Sequence, residues 1–294
     1  MTKFQEKKAL LPAGLEDLLP PTADQEEALI RRLSDHFSKY GYQRVKPPLL
    51  EFESGLFGGI GAAVAEQTFR LMDPVSQRMM GLRADITPQV SRLAATRLRD
   101  APRPLRLAYN GEVFRVKGRQ LRPRRQFCAV GVELIGAAKA AMADAEVILL
   151  AAESISELGI QGLSVDINVP SMADMICKEL LVSAELSKKL LAAINRKDAA
   201  TITAIASDAS KLLAGLLDAA GPAVRGLRRM DAMDLPGEAA LLNQRLSEVA
   251  NLVREEAPDL TVTIDPADSR GFEYHTGISF ALFARSARSE LGTG

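Results

Sequence analysis

Apolar residues recur at helical spacing near the start of the chain. Between residues 22 and 40 they form one face of a helix, at Leu29, Ile30, Leu33, Phe37 and Tyr40. Thr22 and Gln25 fit a capping box at the start of this helix, and Gly41 supplies a typical stop signal. The pattern therefore predicts an amphipathic helix over about 22–40.

Short extended segments follow this helix. Residues 41–48 predict a strand that a proline pair ends, since proline has no N–H to donate to a ladder. Residues 78–83 predict another strand. Thr87, with Pro88 behind it, gives an N-cap and first-turn signal for a helix that runs to about residue 98.

The segment from 105 to 135 has the pattern of an antiparallel meander. Strands are predicted at 105–109, 113–116 and 126–135, with a turn between the first two. The polar residues 118–124 predict a long arginine-rich loop before the last strand. A helix over 140–158 and an alternating strand over 163–169 are predicted next.

Composition changes after residue 170. Ala, Leu, Ser and Lys dominate up to residue 256 in short helical patterns, with breaks near Val182, Lys197, Pro222 and Pro236. Strand patterns return at 260–264 and 271–283. The predicted fold class is α+β, with a sheet domain over 1–170, an all-helical insertion over 171–256 and a resumed core over 257–294.

Composition excludes several classes of protein. With 47% hydrophobic residues in 294, the chain can bury a core, which excludes disorder. Cys128 and Cys177 match neither a metal spacing nor a disulfide framework, so we interpret them as buried thiols in a reducing cytoplasm. No stretch has the pattern of a signal peptide or a membrane span, and we expect no metal and no membrane contact.

Charge is unevenly distributed although the net charge is zero. From Arg92 to Arg125 the chain carries eleven Lys or Arg against two acidic residues, a local excess of nine positive charges. Such a block could meet RNA, an anionic small molecule or an acidic protein surface. A solvated helix face followed by a loop is the alternative interpretation, and it fits Arg92 to Arg106 better than Arg115 to Arg125.

No short motif assigns a chemistry, since a P-loop, a dinucleotide fingerprint and a zinc-protease motif are all absent from the sequence. Five medium-length segments nevertheless resemble, in identity and order, the catalytic core of histidyl-tRNA synthetase. They are 12–20, 41–42 with 48–51, 82–89, 114–115 with 124–136, and 270–277. The resemblance covers residues 12–170 and 260–294. It implies a class II synthetase fold, in which helices flank a six-stranded antiparallel sheet, and a homodimer built around the Pro48 segment.

The resemblance also implies a site for free histidine. Its residues would be Asp85, Thr87, Arg115, Glu133, Arg270, Tyr274 and His275. Asp85 and Glu133 can accept N–H groups, and Arg115 can hold a carboxylate through a charge-assisted fork. Two positions depart from the family pattern, because Ala129 stands where a glutamine is expected and His275 replaces a tyrosine. Without the resemblance, Asp85 and Glu133 would be interpreted as a helix cap and an ion-pair partner.

The resemblance does not extend to the chemistry of aminoacylation. Lys117 stands where the synthetases carry a glutamate that fixes the nucleotide, and neither the last ATP motif nor the anticodon-binding domain is found by residue 294. Residues 83–92 and 131–136 resemble more closely the versions of these motifs in a paralogous family, the regulatory subunits of short-form ATP phosphoribosyltransferase. The resemblance implies a synthetase core without the anticodon domain. The core of that family is expected to continue beyond residue 294.

The sequence is therefore compatible with three functions. The favoured one is a non-catalytic regulatory subunit in histidine biosynthesis, without a cofactor, that docks on the short catalytic subunit and senses free histidine as effector. The alternative is an active histidyl-tRNA synthetase or a fragment of one. The third, a nucleic-acid-binding module, is disfavoured because few aromatic residues accompany the basic block.

Overall fold

A computed structural model describes residues 11–58, 64–118, 123–268, 276–287 and 289–294. The chain divides into two compact units, Met1–Ala138 and Lys139–Gly294. The predicted domain limits at 170 and 256 follow composition rather than packing, and they stay a prediction.

The first unit contains three helices and six strands among its described residues. The helices are α1 (Thr22–Lys39), α2 (Glu53–Leu56) and α3 (Thr87–Ala95). The strands are β1 (Gln43–Arg44), β2 (Leu50–Phe52), β3 (Arg70–Met72), β4 (Met79–Leu82), β5 (Leu105–Phe114) and β6 (Gln126–Ile135).

These six strands form two small sheets. One has the order β1-β5-β6, with β1 parallel to β5 and a ten-residue antiparallel pairing of β5 with β6. The other is antiparallel throughout and has the order β2-β4-β3. Ile86 at the start of α3, Val90 within it and Leu107 of β5 belong to one buried apolar cluster, which holds the start of α3 against the hairpin.

The structure corrects three local predictions in this unit. Helix α1 is confirmed, but Pro21 occupies its N-cap without a side-chain cap bond, so the capping box at Thr22 is wrong. Ile86, not Thr87, caps α3, which leaves the Thr87 hydroxyl available for another partner. The turn predicted between residues 109 and 113 is absent, because β5 runs without interruption through Gly111. The arginine-rich loop is confirmed at its described ends, 118 and 123–124.

The second unit contains seven helices and five strands in the part of the chain that the structure describes. The helices are α4 (Ala140–Glu157), α5 (Met172–Glu179), α6 (Ala184–Asn195), α7 (Ala199–Thr203), α8 (Asp208–Ala219), α9 (Ala223–Asp231) and α10 (Gly237–Glu256). The strands are β7 (Leu163–Asn168), β8 (Gly221–Pro222), β9 (Thr261–Ile264), β10 (Ser279–Ala284) and β11 (Gly292–Thr293). All four predicted helix breaks are confirmed.

A single apolar core joins the helices of this unit to its sheet. The strand order is β11-β10-β7-β9-β8, with β7 parallel to β9 and the other neighbours antiparallel. Val165 of β7, Leu213 of α8 and Val249 of α10 all belong to one buried cluster. The chain thus combines helices with sheets whose neighbouring strands run mostly antiparallel, which confirms the α+β class. The expected six-stranded antiparallel sheet differs in detail, since the described strands form three sheets and two neighbouring pairs run parallel.

Within the described ranges, we find no helix whose length and apolarity would let it cross a bilayer.

Candidate functional site

The turn between β4 and α3 carries two of the predicted histidine-binding residues. We call residues 84–87 the binding turn. Its Thr87 N–H donates to Asp85 Oδ1 at 3.2 Å, which fixes the carboxylate over the start of the helix. The Thr87 hydroxyl donates to Glu133 Oε1 at 2.7 Å, across 46 residues of sequence. The side chain that the sequence assigned to capping therefore ties the binding turn to β6.

The register of the β5–β6 hairpin decides which residues share a face with Glu133. Side chains alternate along a strand, so Ala129, Gly131 and Glu133 point the same way. Tyr109 lies opposite Gly131 in the ladder, and its hydroxyl is 3.5 Å from Glu133 Oε1 and 3.4 Å from Thr87 Oγ1. A side chain at Gly131 would begin 2.6 Å from that hydroxyl, so only glycine leaves the Tyr109 ring its place.

Burial changes the acidity of the groups at this junction. It raises the pKa of Glu133 from its ordinary value near 4.5 to about 7, and the negative charge of Asp85 acts in the same direction. The hydrogen bonds from Thr87 and Tyr109 oppose the shift only in part. Burial also raises the pKa of Tyr109 well above its ordinary value. Tyr109 is therefore a neutral donor near pH 7, and Glu133 exchanges a proton in that range.

Arg115 lies beside the binding turn. Its Nε donates to the carbonyl of Ala84 at 3.3 Å, and its guanidinium carbon lies 5.1 Å from the centroid of the Phe127 ring. Stacking on an aromatic face favours arginine over lysine at such a position. The cluster around the binding turn thus combines two carboxyl groups, a hydroxyl, a phenol and a guanidinium. This set suits a small ligand that carries both an amino group and a carboxylate.

The structure brings together four of the seven predicted site residues. Asp85 and Thr87 lie in the binding turn, while Arg115 and Glu133 form hydrogen bonds to it. Ala129 lies on the same face of the hairpin as Glu133. The other three, Arg270, Tyr274 and His275, lie outside the described residues. Sequence reasoning missed Tyr109 and Gly131. The signal that could have found them is the alternation of residues along β5 and β6 once their register is known.

Most described arginines of the basic block make contacts within the protein. Arg92 pairs with Glu51, and Arg124 pairs with Glu16. Arg103 donates to three carbonyl groups, that of Ala94 in the last turn of α3 and those of Leu98 and Ala101 after it. Arg125 lies 4.7 Å from the centroid of a phenylalanine ring and donates to two backbone carbonyls. The excess charge is therefore used largely to tie segments together. Arg119 and Arg122 lie outside the described residues.

A second cluster of acids occurs in the Lys139–Gly294 unit. Carboxylate oxygens of Asp166, Asp265 and Asp268 lie within 4.8 Å of one another. Lys197 Nζ already contacts both oxygens of Asp265, at 2.6 and 2.8 Å, and the hydroxyl of Thr263 donates to Asp166 at 2.6 Å. These partners explain the cluster as an ion-paired polar layer beside β7 and β9.

Comparison with known protein sequences gives consistent matches. The family model described as histidyl-tRNA synthetase matches residues 14–294. An ATP phosphoribosyltransferase regulatory subunit of Paramagnetospirillum magneticum is 52% identical over 98% of this chain and 76% of its own length. One of Gluconobacter oxydans is 46% identical over 97% of this chain and 75% of its own length.

Comparison with solved structures agrees at the level of the fold. A Bacillus halodurans protein, described as an ATP phosphoribosyltransferase regulatory subunit/histidyl-tRNA synthetase, superimposes with a TM-score of 0.82 at 22% identity, covering 97% of this chain and 75% of its own. A chain of the ATP phosphoribosyl transferase (HisG:HisZ) complex from Thermotoga maritima gives 0.69 at 19% identity, covering 92% and 91%. These similarities confirm the class II synthetase-like fold.

Proposed function

The chain belongs to the histidyl-tRNA synthetase family and, within it, to the regulatory subunits of ATP phosphoribosyltransferase, and from this membership we propose its role in histidine biosynthesis. It is a non-catalytic subunit that a short catalytic subunit requires for activity. The observation that carries this proposal is the shared name of the relatives that are about half identical over nearly the whole chain.

The partner of this subunit is the catalytic phosphoribosyltransferase. Support comes from the name of the relatives and from the Thermotoga maritima complex, whose two components include a chain of this fold.

The subunit acts in the cytoplasm in this proposal. Both cysteines are free thiols, as expected in a reducing compartment.

Free histidine is the effector. The α-ammonium or an imidazole N–H would meet Asp85 or Glu133, and the carboxylate would meet Arg115. Arg270, Tyr274 and His275 complete the site in this proposal. Burial of the Glu133 side chain strengthens a charge-assisted bond to the ligand, because few water molecules compete for it.

The subunit forms a homodimer through the segment around Pro48. Support comes from the apolar surface next to it: Leu49 and Leu50 are 36% and 37% exposed, and Leu71, on the outer strand β3 of the same sheet, is 37% exposed. Exposed apolar side chains on one small sheet favour a protein contact. The symmetric twofold arrangement is the commonest closed assembly.

The second candidate, an active histidyl-tRNA synthetase, is favoured by the family match alone. Lys117 argues against it, because it puts a positive charge where that family fixes the nucleotide with a carboxylate. Arg124, in the loop that follows, pairs with Glu16. We expect no histidine-dependent exchange of pyrophosphate into ATP. Pyrophosphate exchange well above that of a blank without this protein would favour the synthetase over the regulatory subunit.

Reconstitution with the catalytic phosphoribosyltransferase tests the proposal. The purified catalytic subunit should gain activity when this chain is added, and histidine should then inhibit the mixture. Glu133→Ala should weaken inhibition about ten- to a hundredfold, since it removes a charged acceptor, while activation remains. Lys189→Ala, on the exposed surface of α6, is the matched control and should behave as wild type. Failure of the two chains to form a complex would disprove the regulatory role.

A further inference from the structure

The exposed segment around Pro48 is held by side chains from the two ends of the binding turn. Pro47 and Pro48 have no N–H, so the segment cannot pair there as an ordinary strand. Three successive carbonyls instead accept bonds from two residues. Arg83 Nη1 donates to Pro47 at 3.0 Å, Gln89 Nε2 donates to Pro48 at 2.8 Å, and the backbone N–H of Arg83 donates to Leu49 at 3.1 Å.

Arg83 and Gln89 are among the most buried polar residues of the described chain, with 5% and 1% of their surface exposed. Arg83 Nη1 also donates to Gln89 Oε1 at 3.4 Å, and its Nε donates to the carbonyl of Glu112 at 2.7 Å. Gly111 leaves room for the guanidinium, because a side chain there would overlap it. Groups bonded so completely in the interior have few alternative positions.

The network continues from Gln89 into β2. Gln89 Nε2 contacts Glu51 Oε2 at 3.1 Å, and Glu51 also pairs with Arg92 on the next turn of α3. Residues 47–51, which we call the proline segment, are therefore fixed at four of their five positions by residues 83, 89 and 92. The binding turn lies between the first two of these residues in the chain.

We propose that Arg83 and Gln89 are positioning residues that couple the Thr87–Glu133 contact to the proline segment. A shift of the binding turn toward or away from Glu133 must move Arg83 or Gln89, because only one residue separates each of them from Asp85 or Thr87. Because both residues donate hydrogen bonds to the carbonyls of residues 47–49, these carbonyls move with them. The exposed side chains of Leu49 and Leu50 then move as well. The inference deepens the proposed regulation, and only the identity of the ligand rests on the proposed function.

Amide hydrogen exchange tests the coupling without any ligand. Thr87→Val releases the binding turn from Glu133, and we expect the amides of residues 49–52 to exchange about fivefold faster or more, the lower end of typical couplings between sites. In a Gln89→Asn background, where the shortened amide cannot reach Pro48, these amides should already exchange fast. Thr87→Val should then add no further change. Gln89→Met serves as a second background if Gln89→Asn is poorly folded.

The decisive quantity is the non-additivity of the two substitutions. A purely structural role for Gln89 would accelerate exchange independently of Thr87, so additive effects would overturn the inference. Ser34→Ala is the matched control, since it removes the 3.1 Å contact between Asn110 Nδ2 and Ser34 Oγ at the same hairpin. It should leave exchange at residues 49–52 unchanged.

Histidine separates this inference from the effector proposal. If calorimetry detects binding, histidine should slow exchange at residues 49–52 in the wild type, whereas in Gln89→Asn it should bind but leave these amides unaffected. An equal response in both proteins would contradict the coupling. If histidine does not bind, the effector proposal fails, and the Thr87→Val comparison still decides the coupling.

Discussion

The two units stabilise their interiors by different means. In Lys139–Gly294, 33 buried residues form one apolar cluster that spans α4 to β10. In Met1–Ala138, the corresponding cluster around α3 holds six, and beside it Arg83 and Gln89 are buried with directional hydrogen bonds. Apolar packing tolerates small displacements, whereas a hydrogen-bonded network fixes positions of atoms. Met1–Ala138 carries four of the seven proposed histidine-binding residues, and we call it the binding unit and Lys139–Gly294 the apolar unit. The interior of the binding unit is the one in which hydrogen bonds fix the positions of atoms.

The largest effect should come from the apolar unit. Leu213→Ala in α8 removes a fully buried side chain from the large cluster, so the free energy of unfolding should fall by about 2–5 kcal/mol. Histidine affinity should not change, because Leu213 belongs to the apolar cluster and is not one of the seven proposed histidine-binding residues. Urea unfolding and calorimetry measure the two quantities. A tenfold loss of histidine affinity in folded Leu213→Ala protein would contradict the expected independence of ligand binding from the apolar cluster.

A substitution in the binding unit should have a smaller effect on stability and a specific effect on the site. Gly131→Ala forces the Tyr109 ring from its place, and overpacking of this kind costs about 1–3 kcal/mol. Tyr109 should then lose its contact with Glu133, and histidine binding should weaken.

Gly55→Ala provides the control for this experiment, because a side chain at Gly55 meets no atom within 4 Å. Gly55 lies in helix α2, where alanine is favoured over glycine by up to about 1 kcal/mol. It should therefore be neutral or slightly stabilising. Equal losses at Gly131 and Gly55 would mean that the Tyr109 contact contributes nothing.

The same comparison explains what the sequence could predict. Helical periodicity and helix breaks located most of the apolar unit, including the breaks at Val182 and Lys197, because burial follows a regular spacing. Resemblance gave Asp85, Thr87, Arg115 and Glu133. Local rules assigned Thr87 to helix capping, but its hydroxyl bonds to Glu133 in the folded chain. A contact across 46 residues depends on tertiary structure, which local patterns do not contain.

Tyr109, Gly131, Arg83 and Gln89 were missed for the same reason. Each acts through a partner on another strand or segment, and the pairing follows only from the register of β5 with β6 or from the path of the proline segment. Charge counting was misleading in a similar way. Arg92 and Arg124 contribute to a basic block in the sequence, but each is paired with a distant glutamate in the structure.

Glu133 should make stability depend on pH. Its pKa in the folded protein, about 7, is above its ordinary value near 4.5, so the folded state binds the proton more tightly than the unfolded chain. This contribution is complete below about pH 4.5 and is lost as the pH rises through 7. We expect a loss of about 2–3 kcal/mol between pH 5 and 8, since each unit of pKa shift corresponds to about 1.4 kcal/mol. Unfolding measured from pH 5 to 8 should show it.

Glu133→Gln keeps an acceptor for Thr87 but cannot ionise, so its stability should vary less with pH over the same range. A matched change at Glu185, an exposed residue of α6, should leave the pH dependence unaltered. Identical profiles for wild type and Glu133→Gln would place the titrating group elsewhere.

The smallest effect should come from the exposed ion pairs of the apolar unit. Lys189 Nζ lies 3.0 Å from Glu185 Oε1, one turn away on α6, and the two side chains are 64% and 83% exposed. Such pairs contribute less than about 0.5 kcal/mol, because water and salt screen them and two long side chains lose freedom in forming them. Lys189→Ala should therefore leave the unfolding midpoint unchanged within error at 0.15 M salt.

Arg92→Ala in the binding unit should lower the unfolding midpoint measurably. The Arg92 and Glu51 side chains are only 28% and 15% exposed, and Glu51 also accepts a hydrogen bond from Gln89. If neither substitution changed the unfolding midpoint, the Arg92–Glu51 pair would contribute no more than an exposed ion pair. The proline segment would then not depend on this pair, and the proposed difference between the two interiors would be wrong.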